Sequence, residues 1–96
     1  MPAPFEILVL NVDPVSWTPV TVPFDCTNLS VKNRDQVNPV RVRTNANDPA
    51  TEDLLGPGME QALAIPFHRY RFVHGSQPIF IQATAGTGPV VVKFLV

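Results

Sequence analysis

The sequence has little charge. Of its 96 residues only 16% are Asp, Glu, Lys or Arg, and the net charge is −1, against roughly a quarter charged in an average soluble domain. No field gathers nucleic acid or anionic lipid, so neither a nucleic acid nor a membrane is an expected partner. Cysteine is almost missing: Cys26 stands alone, which excludes an internal disulfide and a four-thiolate metal site. Long apolar runs are missing as well. The opening MPAPFEILVLN has no basic leader region, and its apolar stretch falls far short of the roughly 20 residues a membrane helix needs. The expectation is a chain made in a reducing cytoplasm and kept there or carried elsewhere by an assembly. Without export, the sequon Asn28-Leu29-Ser30 is a chance match.

Catalytic signatures are equally scarce. His68 and His74 would stand about 20 Å apart on an extended strand, too far to share a metal. Ser16, Ser30 and Ser76 lie in no G-x-S-x-G elbow. Gly86-Thr87-Gly88-Pro89 lacks a lysine and runs into strand-forming residues, so it reads as a hairpin turn and not as a phosphate loop. Asp48, Glu52 and Asp53 lack the alternate spacing and the downstream bidentate glutamate of a calcium loop. Arg69-Tyr70-Arg71 interleaves base and aromatic as a nucleic-acid binder does, yet acids slightly outnumber bases overall. Neither an enzyme nor a cofactor or metal protein is expected.

What the chain does have is apolar residues (45%) and proline, eleven in all, the latter about twice the average share. Many apolar residues with few charges predict a surface partly covered by another subunit. The length suits one domain with a single thin core. Residues 1–4 read as an extended arm, and residues 5–96 as one domain.

Along that domain the apolar periodicity is mostly two. Phe5 to Val12, FEILVLNV, is short and aliphatic on both sides, which predicts a strand with both faces buried. Pro19 and Pro23 interrupt VSWTPVTVPF and predict an edge strand or a crossing between sheets. CTNLSVK (26–32) and PVRVRT (39–44) alternate and, with Asn33-Arg34-Asp35 between them, read as a hairpin. Val40 and Val42 then point inward and Arg41 and Arg43 outward, either to grip a carboxylate or phosphate or to protect a sheet edge.

From Asp48 to Gly56 a helix cap, Pro49 and a terminal glycine predict one short helical turn near 49–55. MEQALAI (59–65), FHRYRFV (67–73), PIFIQATA (78–85) and PVVVKFLV (89–96) complete about seven or eight strands with turn signals between them. The fold class expected is all-β: a two-sheet antiparallel β-sandwich of immunoglobulin-like or jelly-roll type.

Several pieces of the chain share a layout and turn placement with a known family. An early strand ends in an Asn turn (SVKN), the V-R-V-R strand follows, then a proline–glycine corner (LGPGMEQ), and RFVHGSQPIFIQA leads into GTGPVVVKFLV. From Leu29 to Val96 this layout resembles small β-structured virion proteins of tailed bacteriophages, of the capsid decoration or cement type. The resemblance implies a structural role in the virion, the major capsid protein as partner and a homo-oligomer, with a trimer as the expected number. A head–tail or tail subunit is the neighbouring alternative. In that setting Met1, Pro2, Pro4 and Phe5 would reach onto an adjoining subunit. Trp17, Phe67 and Tyr70 are candidate contact aromatics, the residue types enriched at interface hot spots, and Arg41 and Arg43 candidate contact bases. A sandwich module that binds carbohydrate, with Trp17 and Tyr70 as stacking platforms, is the competing reading.

Overall fold

The computed structural model describes residues 5–63 and 72–95. The described residues form eight strands in chain order: β1 (Phe5–Val12), β2 (Thr18–Val20), β3 (Asn28–Asn33), β4 (Val40–Arg43), β5 (Glu52–Leu55), β6 (Glu60–Leu63), β7 (Ile79–Ala83) and β8 (Gly88–Leu95). They build two four-stranded sheets. Sheet A has the order β1-β8-β3-β6 and sheet B the order β2-β7-β4-β5.

Every pairing is antiparallel, and the pairs are nested. The first strand pairs with the last, the second with the seventh, the third with the sixth and the fourth with the fifth. The chain is thus one long hairpin with its tip between β4 and β5. That hairpin is then rolled, so that β8 also pairs with β3 and β7 with β4. The hairpin stays zipped around the corner between sheets. Val22 N–H donates to the Ser76 carbonyl (2.9 Å), Gly75 N–H to Val22 (2.8 Å) and Cys26 N–H to Phe72 (3.0 Å). This is the jelly-roll arrangement of the all-β sandwich.

The alternation of the sequence decides which side chains meet between the sheets. Leu29 and Val31 of β3, with Val90, Val92 and Phe94 of β8, form the inner side of sheet A. Val40 and Val42, with Ile79, Ile81 and Ala83 of β7, form the inner side of sheet B, and all of these join one buried cluster. Each large member contributes about 1.5–3 kcal/mol relative to its exposed state. Cys26 is buried among them and behaves as a small hydrophobe. Burial, with the nearby Asp25 charge adding to it, pushes its thiol pKa up.

Four expectations change in detail. β3 and β4 are not a hairpin: they lie in different sheets, and Val31 and Val42 enter the same core from opposite sides. Alternation looks the same whether two strands sit side by side or face each other. For the same reason Gly86-Thr87-Gly88 is a crossing from sheet B to sheet A, where Gly86 takes φ +65°, a region open to glycine. The helical turn is a single 3-10 turn, Pro49–Thr51, capped by the Asp48 side chain accepting from Ala50 N–H. Glu52–Leu55 then pairs with β4 and sends Leu55 into the core beside Val40, so tertiary pairing overrides the weak helix signal. Lastly, β1 is an edge strand with its outward side chains uncovered, where burial of both faces was expected.

One buried polar side chain fastens the two layers. Asn33 is fully buried, and its amide donates to the carbonyls of Asn38 (2.9 Å), Leu55 (3.2 Å) and Gly56 (3.2 Å). Its oxygen accepts from Asp35 N–H at 2.9 Å. Asn33 closes the β3–β4 crossing and clamps it to the corner after β5.

Candidate interaction surface

Strand register dictates what each sheet shows to the outside. On sheet B the outward residues run across the strands as Pro19, Phe80, Arg43 and Glu52 in one row, and Gln82, Arg41 and Leu54 in the next. Arg43 is held from three directions. Its Nε and Nη2 reach Glu52 Oε1 at 3.0 and 2.8 Å, and its Nη1 donates to the Ala46 carbonyl at 2.9 Å. The guanidinium also lies over the Trp17 ring, 4.4 Å from its centroid, a cation–π contact. Arg41 donates to Gln82 Oε1 at 3.2 Å and approaches Glu52 Oε2 at 3.7 Å. The acid that these arginines grip is therefore the chain's own. Their expected part as edge guards is corrected, because β4 lies inside its sheet between β7 and β5. Trp17 is half-buried with one face under Arg43, a rim anchor and not an open platform.

Sheet A presents the opposite chemistry. Its outward rows begin on β1 with Phe5, Ile7 and Val9, opposite Leu95, Lys93 and Val91 of β8. They continue through Asn28, Ser30 and Lys32 of β3 to Ala62 and Glu60 of β6. Lys93 and Glu60 pair at 3.1 Å, so the β6 half of the face is polar and carries an ion pair. The β1 half is apolar and open: Phe5 is 56% exposed, Ile7 51%, Val9 60% and Leu95 41%. Between the halves lies a shallow hollow of about 170 Å³, walled by Phe5, Leu95, Ala62, Asn28 and Lys93.

Of the residues singled out from sequence, Phe5 belongs to this apolar strip, and Trp17, Arg41 and Arg43 meet on the far side of the sandwich. The structure does not bring the two sets together. Met1, Pro2, Pro4, Phe67, Tyr70 and His68 lie outside the described residues. Ile7, Val9 and Leu95 were not singled out. Their signal is the failure of FEILVLNV to alternate: a strand with no polar side at that end shows apolar side chains wherever its own fold leaves it uncovered.

At the ends of the sandwich, two aspartates hold turns. Asp13 accepts from Val15 and Ser16 N–H, and Asp35 from Val37 and Asn38 N–H. These bonds favour the carboxylate and hold both groups below the usual aspartate value. Among the described residues, no group of three or more His, Cys, Asp or Glu gathers as a metal site would need. No described helix is long and apolar enough to cross a membrane. No protein family, curated protein or solved structure matches the chain.

Proposed function

We propose that this chain is a non-enzymatic structural protein of a bacteriophage virion: a decoration or cement protein that binds the outer surface of the capsid as a homo-oligomer and stabilises the head. One observation carries the reading. The β1 half of the sheet A face gathers four exposed large apolar side chains, Phe5, Ile7, Val9 and Leu95, into one strip, and such a strip marks a protein–protein contact. The jelly roll supports it by analogy only, since that fold recurs in viral capsid domains and also in lectins. The partner on this reading is the major capsid protein, and the place of action is the virion, assembled in the host cytoplasm.

The carbohydrate reading is less favoured at Trp17, where Arg43 covers one ring face, while its second platform, Tyr70, lies outside the described residues. A head–tail or tail subunit would use the same strip against a different partner.

The test is co-sedimentation with purified tailed-phage capsids that lack the protein, together with thermal melting of those capsids. The expected result is saturable binding that raises the capsid melting temperature, weakened when residues 1–4 are deleted. Absence of binding, alongside retention on a glycan array, overturns the proposal in favour of the sugar module.

A further inference from the structure

The strongest unanswered feature is the free edge of β1. Among the described strands four are sheet edges: β1, β6, β2 and β5. Three of them are blunted in the ways natural sheets use against unwanted pairing. β2 has three residues and contains Pro19; β5 has four, with Glu52 and Asp53; β6 has four and begins with Glu60. β1 has none of these devices. It runs eight residues, carries one charge (Glu6), contains no proline, and keeps unbroken register with β8 from Phe5↔Leu95 to Val12↔Gly88, so no bulge twists it away. In an antiparallel pair alternate residues aim their N–H and C=O groups away from the neighbour. On β1 these form a template that no described strand occupies.

We propose that this edge pairs with the same edge of a second copy, antiparallel across a two-fold axis, so that two copies of sheet A become one eight-stranded sheet. The strand is self-complementary. With the axis at Leu8, Ile7 lies opposite Val9 of the second copy and Phe5 opposite Asn11, while Glu6 lies opposite Leu10. The outward rows thereby bring β-branched pairs into contact, the favourable kind across strands. No like charges oppose each other: the two Glu6 side chains stand about 14 Å apart along the strands, beyond the Debye length of about 8 Å at physiological salt.

The area points to a weak dimer. Eight residues span about 27 Å and one sheet layer is about 10 Å deep. The matching edges therefore cover roughly 300 Å² per copy, below a standard interface, and the main-chain hydrogen bonds of the joined sheets carry the pairing. Pairing is reversible and concentration-dependent, and the copy number is two. A three-fold ring needs two different surfaces in contact, whereas β1 offers one surface that fits itself. This inference stands apart from the virion reading, since the pairing needs no capsid.

The experiment is sedimentation velocity on the full chain without capsids, from about 1 to about 500 µM, a range that brackets micromolar dissociation constants. A monomer–dimer equilibrium is expected. Val9→Lys and, separately, Ile7→Lys should each raise the dissociation constant at least about tenfold, because each puts a charge on the apolar row that the two edges share. Both positions are more than half exposed, so the monomer keeps its fold, checked by an unchanged thermal midpoint. Leu54→Lys, exposed on β5, should change nothing. A monomer at every concentration, a trimer, or a dimer indifferent to both β1 lysines overturns the proposal.

Discussion

Across sheet B, the row Pro19–Phe80–Arg43–Glu52 finishes its own chemistry: the guanidinium has a carboxylate, a carbonyl and an indole ring within reach. Across sheet A, the row that starts at Phe5 and Leu95 ends on water. The two faces share a strand number, a pleat and a core, so backbone architecture does not explain the contrast. Side-chain chemistry does. A face whose charges are all matched within the chain gains little from a partner, because docking there would strip water from groups already satisfied. A face of open aliphatic and aromatic side chains gains from any partner that covers it. The two faces of this small sandwich therefore differ: sheet B carries a matched charge cluster with exposed Leu54 at its edge, and sheet A carries a strip of four exposed apolar side chains.

The change that most disturbs this contrast lies beneath both faces. Asn33→Leu removes the clamp between the β3–β4 crossing and the corner after β5 and leaves three carbonyls short of a donor. The expected loss is about 2–4 kcal/mol of unfolding free energy, read from the urea midpoint. An unchanged midpoint would mean that the faces are held by core packing alone.

A smaller effect sharpens the contrast itself. Glu52→Gln takes the shared counterion from Arg41 and Arg43 and should lower stability by about 1 kcal/mol, since the site is partly solvated, with less effect at high salt. Val9→Thr on the other face should leave the unfolding free energy within about 0.5 kcal/mol. Equal losses at the two sites would erase the distinction between a self-matched face and an open one.

The smallest effect concerns the turns. Backbone N–H donors hold Asp13 and Asp35 below the ordinary aspartate value in the folded chain, so their charged forms favour folding. The contribution is present above the unfolded value and is lost as pH falls through the folded one. Thermal midpoints should therefore decline in the acid range, and less steeply in Asp35→Asn, which removes that carboxyl from the linkage.

How much was legible follows from what periodicity can carry. Inward residues such as Val40, Val42, Ile79 and Ile81 were readable, because period two names a face. Which sheet that face belongs to was not, and so CTNLSVK and PVRVRT looked like neighbours when they are opposite walls. The cap at Asp48 was readable from residue types alone, but the strand that follows depends on β4 lying beside it. The apolar run of β1 announced burial on two sides. One side is supplied by the core; the other is not supplied by the described residues. The arginine pair at 41 and 43 was visible, while its partner Glu52 became its neighbour only through the turn at the tip of the hairpin.

The nesting of the strands also sets a schedule. Of the described strands β1 is the first to be synthesised, yet its one partner among them, β8, begins only after Val12 has been followed by the whole of residues 13–87. At about 5–20 residues per second, β1 waits roughly 4–15 s with both edges bare. Neighbouring nascent chains on one message hold the same strand in the same state. The property that lets two finished copies meet is thus also a hazard during synthesis, and translation speed becomes a determinant of how much soluble protein is recovered.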